Sequence, residues 1–150
     1  MNTKKHLSVR IVAIILIVVC IFPVNAMAVE PRASDYLFSY SAYIYPAGWG
    51  KIQVWFDVTG VDYLDEIGAL EIQILESKDN ETWTWVDTYM HTDYPDMLGY
   101  NNYTHTSHIQ YNGTIGRYYK AYVCIWGGKN GAGDTRYFWT SPEKATLFAG

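Results

Sequence analysis

The clearest pattern in the chain is the alternation over residues 117–126 (RYYKAYVCIW). Tyr119, Ala121, Val123 and Ile125 point one way, and Tyr118, Lys120, Tyr122, Cys124 and Trp126 point the other. Both faces are largely apolar, so this strand is expected in the middle of a sheet with a neighbour on each side. Gly116 before it and Gly127–Gly128 after it mark its ends. Residues 51–58 alternate as cleanly, with Ile52, Val54, Phe56 and Val58 set against Lys51, Gln53, Trp55 and Asp57. Over 68–77, Leu70, Ile72 and Ile74 are expected inward and Glu71 and Gln73 outward. Residues 36–45, 82–90, 103–111 and 135–140 complete the set of predicted strands, rich in aromatic and β-branched residues. Between them fall a Pro/Gly turn at 46–50, an acidic turn at 60–66, a polar hairpin turn at 78–81 and a Gly-rich turn at 127–133. Pro142 ends the last strand. Residues 91–102, with Pro95 and Gly99, predict an irregular loop, long enough to imply a job or packing of its own.

Seven strands at spacings of eight to twelve residues, with no helical period, predict an all-β fold: an antiparallel β-sandwich of about seven strands. A small closed barrel satisfies the same pattern. Tyr119, two residues before Ala121, mimics the tyrosine near the sixth strand of immunoglobulin-like and fibronectin-type domains. Alanine stands where antibody domains carry a cysteine, so the immunoglobulin-like likeness is one of architecture.

The front of the chain reads differently. Lys4, Lys5 and Arg10 precede an apolar run over 11–22, Pro23 breaks the run, and Ala26-Met27-Ala28 fits a small-x-small cleavage pattern. This predicts a secretory signal helix over residues 1–28, cut after Ala28. Twelve apolar residues are short for a bilayer span, so no stable membrane anchor is expected after cleavage. Residues 29–35 read as a flexible lead-in and 36–150 as the domain. Without Lys4, Lys5 and Arg10 the 11 basic residues fall to 8 against 15 acidic ones, a net charge near −7. Such a chain repels phosphate backbones, so nucleic acid is not an expected partner. Cys20 leaves with the leader, and Cys124 then reads as a packed thiol rather than a nucleophile.

Aromatic side chains are the candidate chemistry. Trp83, Trp85 and Tyr89 sit at even spacing and are expected on one face of their strand, while Tyr94, Tyr100 and Tyr103 lie in or beside the irregular loop. Exposed, they form a platform on which sugar rings stack or a partner protein docks. Inward, they are core. Asp62, Asp65, Glu66 and Asp134 follow no EF-hand spacing and are expected to cap turn amides, so no metal is expected. His105 and His108 have opposite parity on one strand, which does not build a zinc site. No nucleophile elbow or phosphate cradle occurs, so neither a catalytic set nor a cofactor is expected, and a small hydrolase is the last of the readings considered. The matches to glycosylation sequons at Asn80, Asn102 and Asn112 read as turn chemistry.

The segments at 31–37 (PRASDYL), 65–69 (DEIGA) and 94–97 (YPDM), and Gly116-Arg117 with Tyr119 and Ala121, resemble a group of small secreted proteins of Gram-positive, clostridia-like bacteria, grouped as a domain of unknown function. The resemblance implies a bacterial exported protein and transfers no active site. Together these features lead to the expectation of a secreted, extracellular, non-enzymatic module that binds a glycan or a protein surface through exposed aromatics. The alternative is a secreted structural or effector protein acting through self-association or on a partner cell.

Overall fold

A computed structural model describes residues 34–150. The predicted leader and nearly all of the lead-in lie outside the described residues. Seven strands form one curled, wholly antiparallel sheet: β1 (Leu37–Gly48), β2 (Lys51–Ser77), β3 (Thr84–Met90), β4 (Leu98–Asn112), β5 (Tyr118–Lys129), β6 (Ala132–Trp139) and β7 (Glu143–Lys144). A single 3-10 turn, Pro95–Met97, precedes β4.

Strand β2 organises the molecule. Its first half lies between β1 and β4, so that Val54 pairs with Ile44 on one side and Ile109 on the other. Its second half lies between β5 and β3, where Ile74 pairs with Ala121 and Asp87. Strand β6 adds to the outer edge of β5, and β7 to its beginning. The inward rows of both halves close on one another. Ile52, Val54, Phe56 and Val58 from the first half and Ile67, Ile72, Ile74, Tyr119, Val123 and Ile125 from the second form one fully buried core. Rings bridge the halves: Tyr40 lies 5.5 Å from Phe138 and Tyr111 lies 5.7 Å from Tyr119, centroid to centroid. The central strand behaves as its alternation predicts. Tyr119, Ala121, Val123 and Ile125 are wholly buried, and β5 has β2 on one side and β6 on the other.

The acidic turn expected at 60–66 is not a turn. Glycine and aspartate there read as punctuation, but the backbone keeps partners on both sides: Gly60 pairs with Leu37, Leu64 with Asn102, and Glu66 with Tyr100 and Gly128. Two expected strands are therefore one of 27 residues, bent where the β4 pairing skips from Thr59 to Leu64. Leu64 is buried at that bend. A bulge at Leu70 then shifts the parity, so Ala69 and not Leu70 takes the inward place, and Leu70 stays half-buried.

Other boundaries move for similar reasons. Strand β1 runs on through Pro46 to Gly48, and the turn is the pair Trp49–Gly50, both at positive φ. The Gly-rich turn shrinks to Asn130–Gly131, also at positive φ, joining Lys129 directly to Ala132. An Asn-Gly pair in that geometry matches the right-handed twist of a hairpin. The expected long loop ends at Met97, because β4 begins at Leu98 and carries both Tyr100 and Tyr103.

Candidate aromatic binding face

Strand β3 contains the feature that decides where the tryptophans point. Trp85 pairs with Leu75 and Asp87 with Ile74, so Val86 is an extra residue without a partner. One extra residue reverses which face the following side chains take. Trp85 is therefore outward, 59% exposed, while Tyr89 turns inward opposite Ile72 and is 7% exposed. The expectation that Trp83, Trp85 and Tyr89 share a face fails at this bulge, and Tyr89 belongs to the core.

The outward face of the second half gathers other aromatics beside the two tryptophans. On β5, Lys120 lies opposite Leu75, Tyr122 between Gln73 and Trp139, and Cys124 between Glu71 and Tyr137. The Tyr122 ring lies 4.6 Å from Trp139 and 5.8 Å from Tyr137, the latter pair nearly parallel at 17°. The Lys120 ammonium sits between two indoles, 4.4 Å from the centre of Trp83 and 4.6 Å from that of Trp139. Each contact is a cation–π attraction of about 0.5–2 kcal/mol, and together they tie Trp83, which precedes β3, to the far strand β6. The Trp85 indole N–H donates to the Thr88 hydroxyl at 3.0 Å, which fixes that ring as well. Trp139 and Tyr137 remain 51% and 59% exposed. The result is an outward face on which aromatic rings of β3, β5 and β6 lie to either side of Gln73 and Leu75 of β2, roughly 14 Å wide at the usual strand spacing.

The remaining predicted residues do not join it. Tyr94 packs 4.8 Å from Tyr89 beside a groove of about 540 Å³ that Asp93, His108, Gln110 and Asn112 also line. The Tyr89 hydroxyl donates to the Gln110 carbonyl at 2.9 Å across that groove. Tyr100 borders a separate cleft of about 340 Å³ with Glu66 and Trp126. Tyr103 stands 6.2 Å from Tyr63. Of the six predicted binding residues, only Trp83 and Trp85 meet on one surface.

Lys120, Tyr122, Tyr137 and Trp139 were not among the predicted site residues. The alternation of β5 already put Lys120 and Tyr122 on one face. Placing β6 and the end of the β2–β3 hairpin beside them needs the strand register, which periodicity does not carry.

The acidic residues near the bend are dispersed over separate partners. Asp62 meets the Lys129 ammonium at 2.7 Å, which together with the Tyr63 amide holds its carboxyl below the usual range. Asp65 accepts the Asn130 N–H at 2.6 Å, and Glu66 accepts the Trp126 indole N–H at 3.1 Å. Among the described residues no three potential metal ligands converge. His105 faces Phe56 and hydrogen-bonds the Asp96 carbonyl at 2.9 Å, whereas His108 stacks on Trp55 at 4.2 Å, on the other side of β4. The Cys124 thiol is buried, and burial pushes its pKa up, away from the thiolate a nucleophile needs. Searches against protein-family models, curated proteins and solved structures found no match to this chain.

Proposed function

We propose that this is a secreted, non-enzymatic binding module that holds an extracellular glycan or protein surface on its outward aromatic face. The observation that carries the reading is the set Trp83, Trp85, Tyr122, Tyr137 and Trp139 on one face of the sheet, three of which are exposed over half their surface or more. Exposed apolar rings in such number are costly to solubility and mark interaction sites. An exposed array of rings suits an extended ligand, because each sugar ring that stacks on one of them adds contact without a pocket. The leader-like first 28 residues and the likeness to exported bacterial proteins support export. The finer fold reading, an immunoglobulin-like sandwich, is part of the same proposal. Its support is the Tyr119 hydroxyl, which accepts the Thr114 N–H at 2.8 Å, as a corner tyrosine bonds to the backbone just upstream.

Trp85→Ala and Trp139→Ala, tested by pull-down on insoluble polysaccharides, peptidoglycan and mucin, are each expected to weaken retention about tenfold or more, with the far-UV spectrum unchanged. Ligand should also quench tryptophan emission in the parent protein. Unaltered binding by both folded variants would remove the face from consideration.

A second reading, self-association, has its own observation. Among the described residues strand β4 is paired only with β2, and its 15 residues include no Asp, Glu, Lys, Arg or Pro. Edge strands are usually protected by such residues. Sedimentation separates the two readings: a monomer at micromolar concentration excludes assembly through β4, and a dimer that survives Trp139→Ala favours it.

A further inference from the structure

We propose that the ligand of the aromatic face is an acidic glycan, a polymer whose sugar rings carry carboxylates. The inference rests on the reading of that face as glycan-binding and adds the charge of the ligand. Three basic side chains of the described chain have carboxylate partners: Arg117 with Glu76 at 3.9 Å, Lys129 with Asp62 at 2.7 Å and Arg136 with Asp134 at 3.6 Å. Among the described residues Lys51, Lys78, Lys120 and Lys144 have none, and of these Lys120 and Lys144 are set among the outward aromatics. Lys120 lies between Trp83 and Trp139, and Lys144 lies 5.2 Å from the centre of the Tyr118 ring, two residues along β5 on the same face. Among the described residues neither ammonium meets a carboxylate. Glu71, the acid on this face nearest the centre strands, lies opposite Cys124, further along β5, and accepts the Gln73 amide N–H at 2.7 Å.

An ammonium over a ring face spends little of its hydrogen-bonding capacity there, since the ring offers charge attraction but no lone pair. Lys120 is also half-buried, so it has lost part of its hydration. An acceptor brought to it in a partly desolvated site gains a charge-assisted bond. In a chain with 15 acidic residues, two cations amid stacked aromatics form a local reversal of sign that complements an anion. A sugar carboxylate meets both demands. Its ring lies on the exposed side of Trp139, and the carboxylate projects from the ring edge toward Lys120 beside it.

The test uses polygalacturonate, the same polymer with its carboxyls reduced to alcohols, and polyglutamate as an anion without rings. Binding of the purified protein is followed by tryptophan fluorescence and retention at low and high salt. Polygalacturonate is expected to bind roughly tenfold tighter than the reduced polymer. That preference should shrink in salt and fall for the most part in Lys120→Gln, while Lys144→Gln, on an exposed side chain, loses a smaller part of it. Equal binding of both sugar polymers, unchanged in either lysine variant, overturns the acidic preference and leaves the aromatic face standing. Polyglutamate binding as tightly as polygalacturonate overturns it too, since charge alone then suffices. No binding of any glycan by the parent protein sinks the glycan reading of the face and the inference together.

Discussion

Tyr119→Phe is expected to lower the free energy of unfolding by about 2–3 kcal/mol, although it removes a single oxygen. The Tyr119 side chain is wholly buried, and its hydroxyl stands at a junction. It donates to the Glu76 carboxylate at 2.6 Å and accepts the Thr114 N–H at 2.8 Å. Phenylalanine keeps the ring packed against Tyr111 but leaves a part-buried carboxylate oxygen and an amide without a partner. Stranding two polar groups costs more than an average hydrogen bond returns, because each was desolvated on folding. Urea denaturation of the two proteins measures the difference, and a loss below about 0.5 kcal/mol would show that water replaces the hydroxyl freely.

Alkaline pH probes the same group. Burial, aided by Glu76, pushes the Tyr119 phenol up to about 12, and burial with Asp87 does the same for Tyr89. Both must be neutral in the fold, while in the unfolded chain they ionise near 10. Their contribution is therefore complete below pH 10 and is lost as pH rises through 12. The urea midpoint should fall across that window, and Tyr119→Phe, with one such phenol fewer, should fall less steeply.

Gly68→Ala is expected to be the more damaging change, costing about 3 kcal/mol or more or preventing folding. Gly68 has φ +148°, and a Cβ there would stand 2.1 Å from the Met97 carbonyl oxygen. Neither neighbour can yield easily, since Gly68 pairs with Leu98 on one side and Trp126 on the other. Gly116→Ala provides the comparison. Its φ is +87° and nothing lies within 4 Å of a new Cβ, so only the backbone preference is charged, about 1 kcal/mol. Thermal melts of the pair separate the two effects. Equal, mild losses would mean that the β2–β4 crossing is looser than its geometry.

Much of the fold was legible because alternation survives wherever a strand runs straight. Strand β5 and the first half of β2 have the faces their patterns predict. The parts that were not legible share one cause. At Leu70 and Val86 a bulge inserts one residue, and every inference made from even spacing across it reverses. Trp85 and Tyr89 were separated in this way. The bend at 60–65 was unreadable for a different reason: its Gly and Asp residues look like a turn from within, and only pairing with β1 and β4 makes them strand. The aromatic face was half visible. Trp83 and Trp85 could be named, but Tyr137 and Trp139 become their neighbours only through the β5–β6 register and the grip of Lys120.

The sharing of β2 between both halves of the sheet also governs how the protein must fold. The two halves share β2 as one unbroken strand, so the backbone that orders one half also orders an inner strand of the other. Closing the second half brings Glu66 to Gly128 and Ser77 to Tyr118, contacts between segments far apart in the chain. Contacts of that kind are formed late and slowly, on the millisecond-to-second scale. A protease cut between residues 60 and 65 is therefore expected to loosen both halves at once rather than one edge.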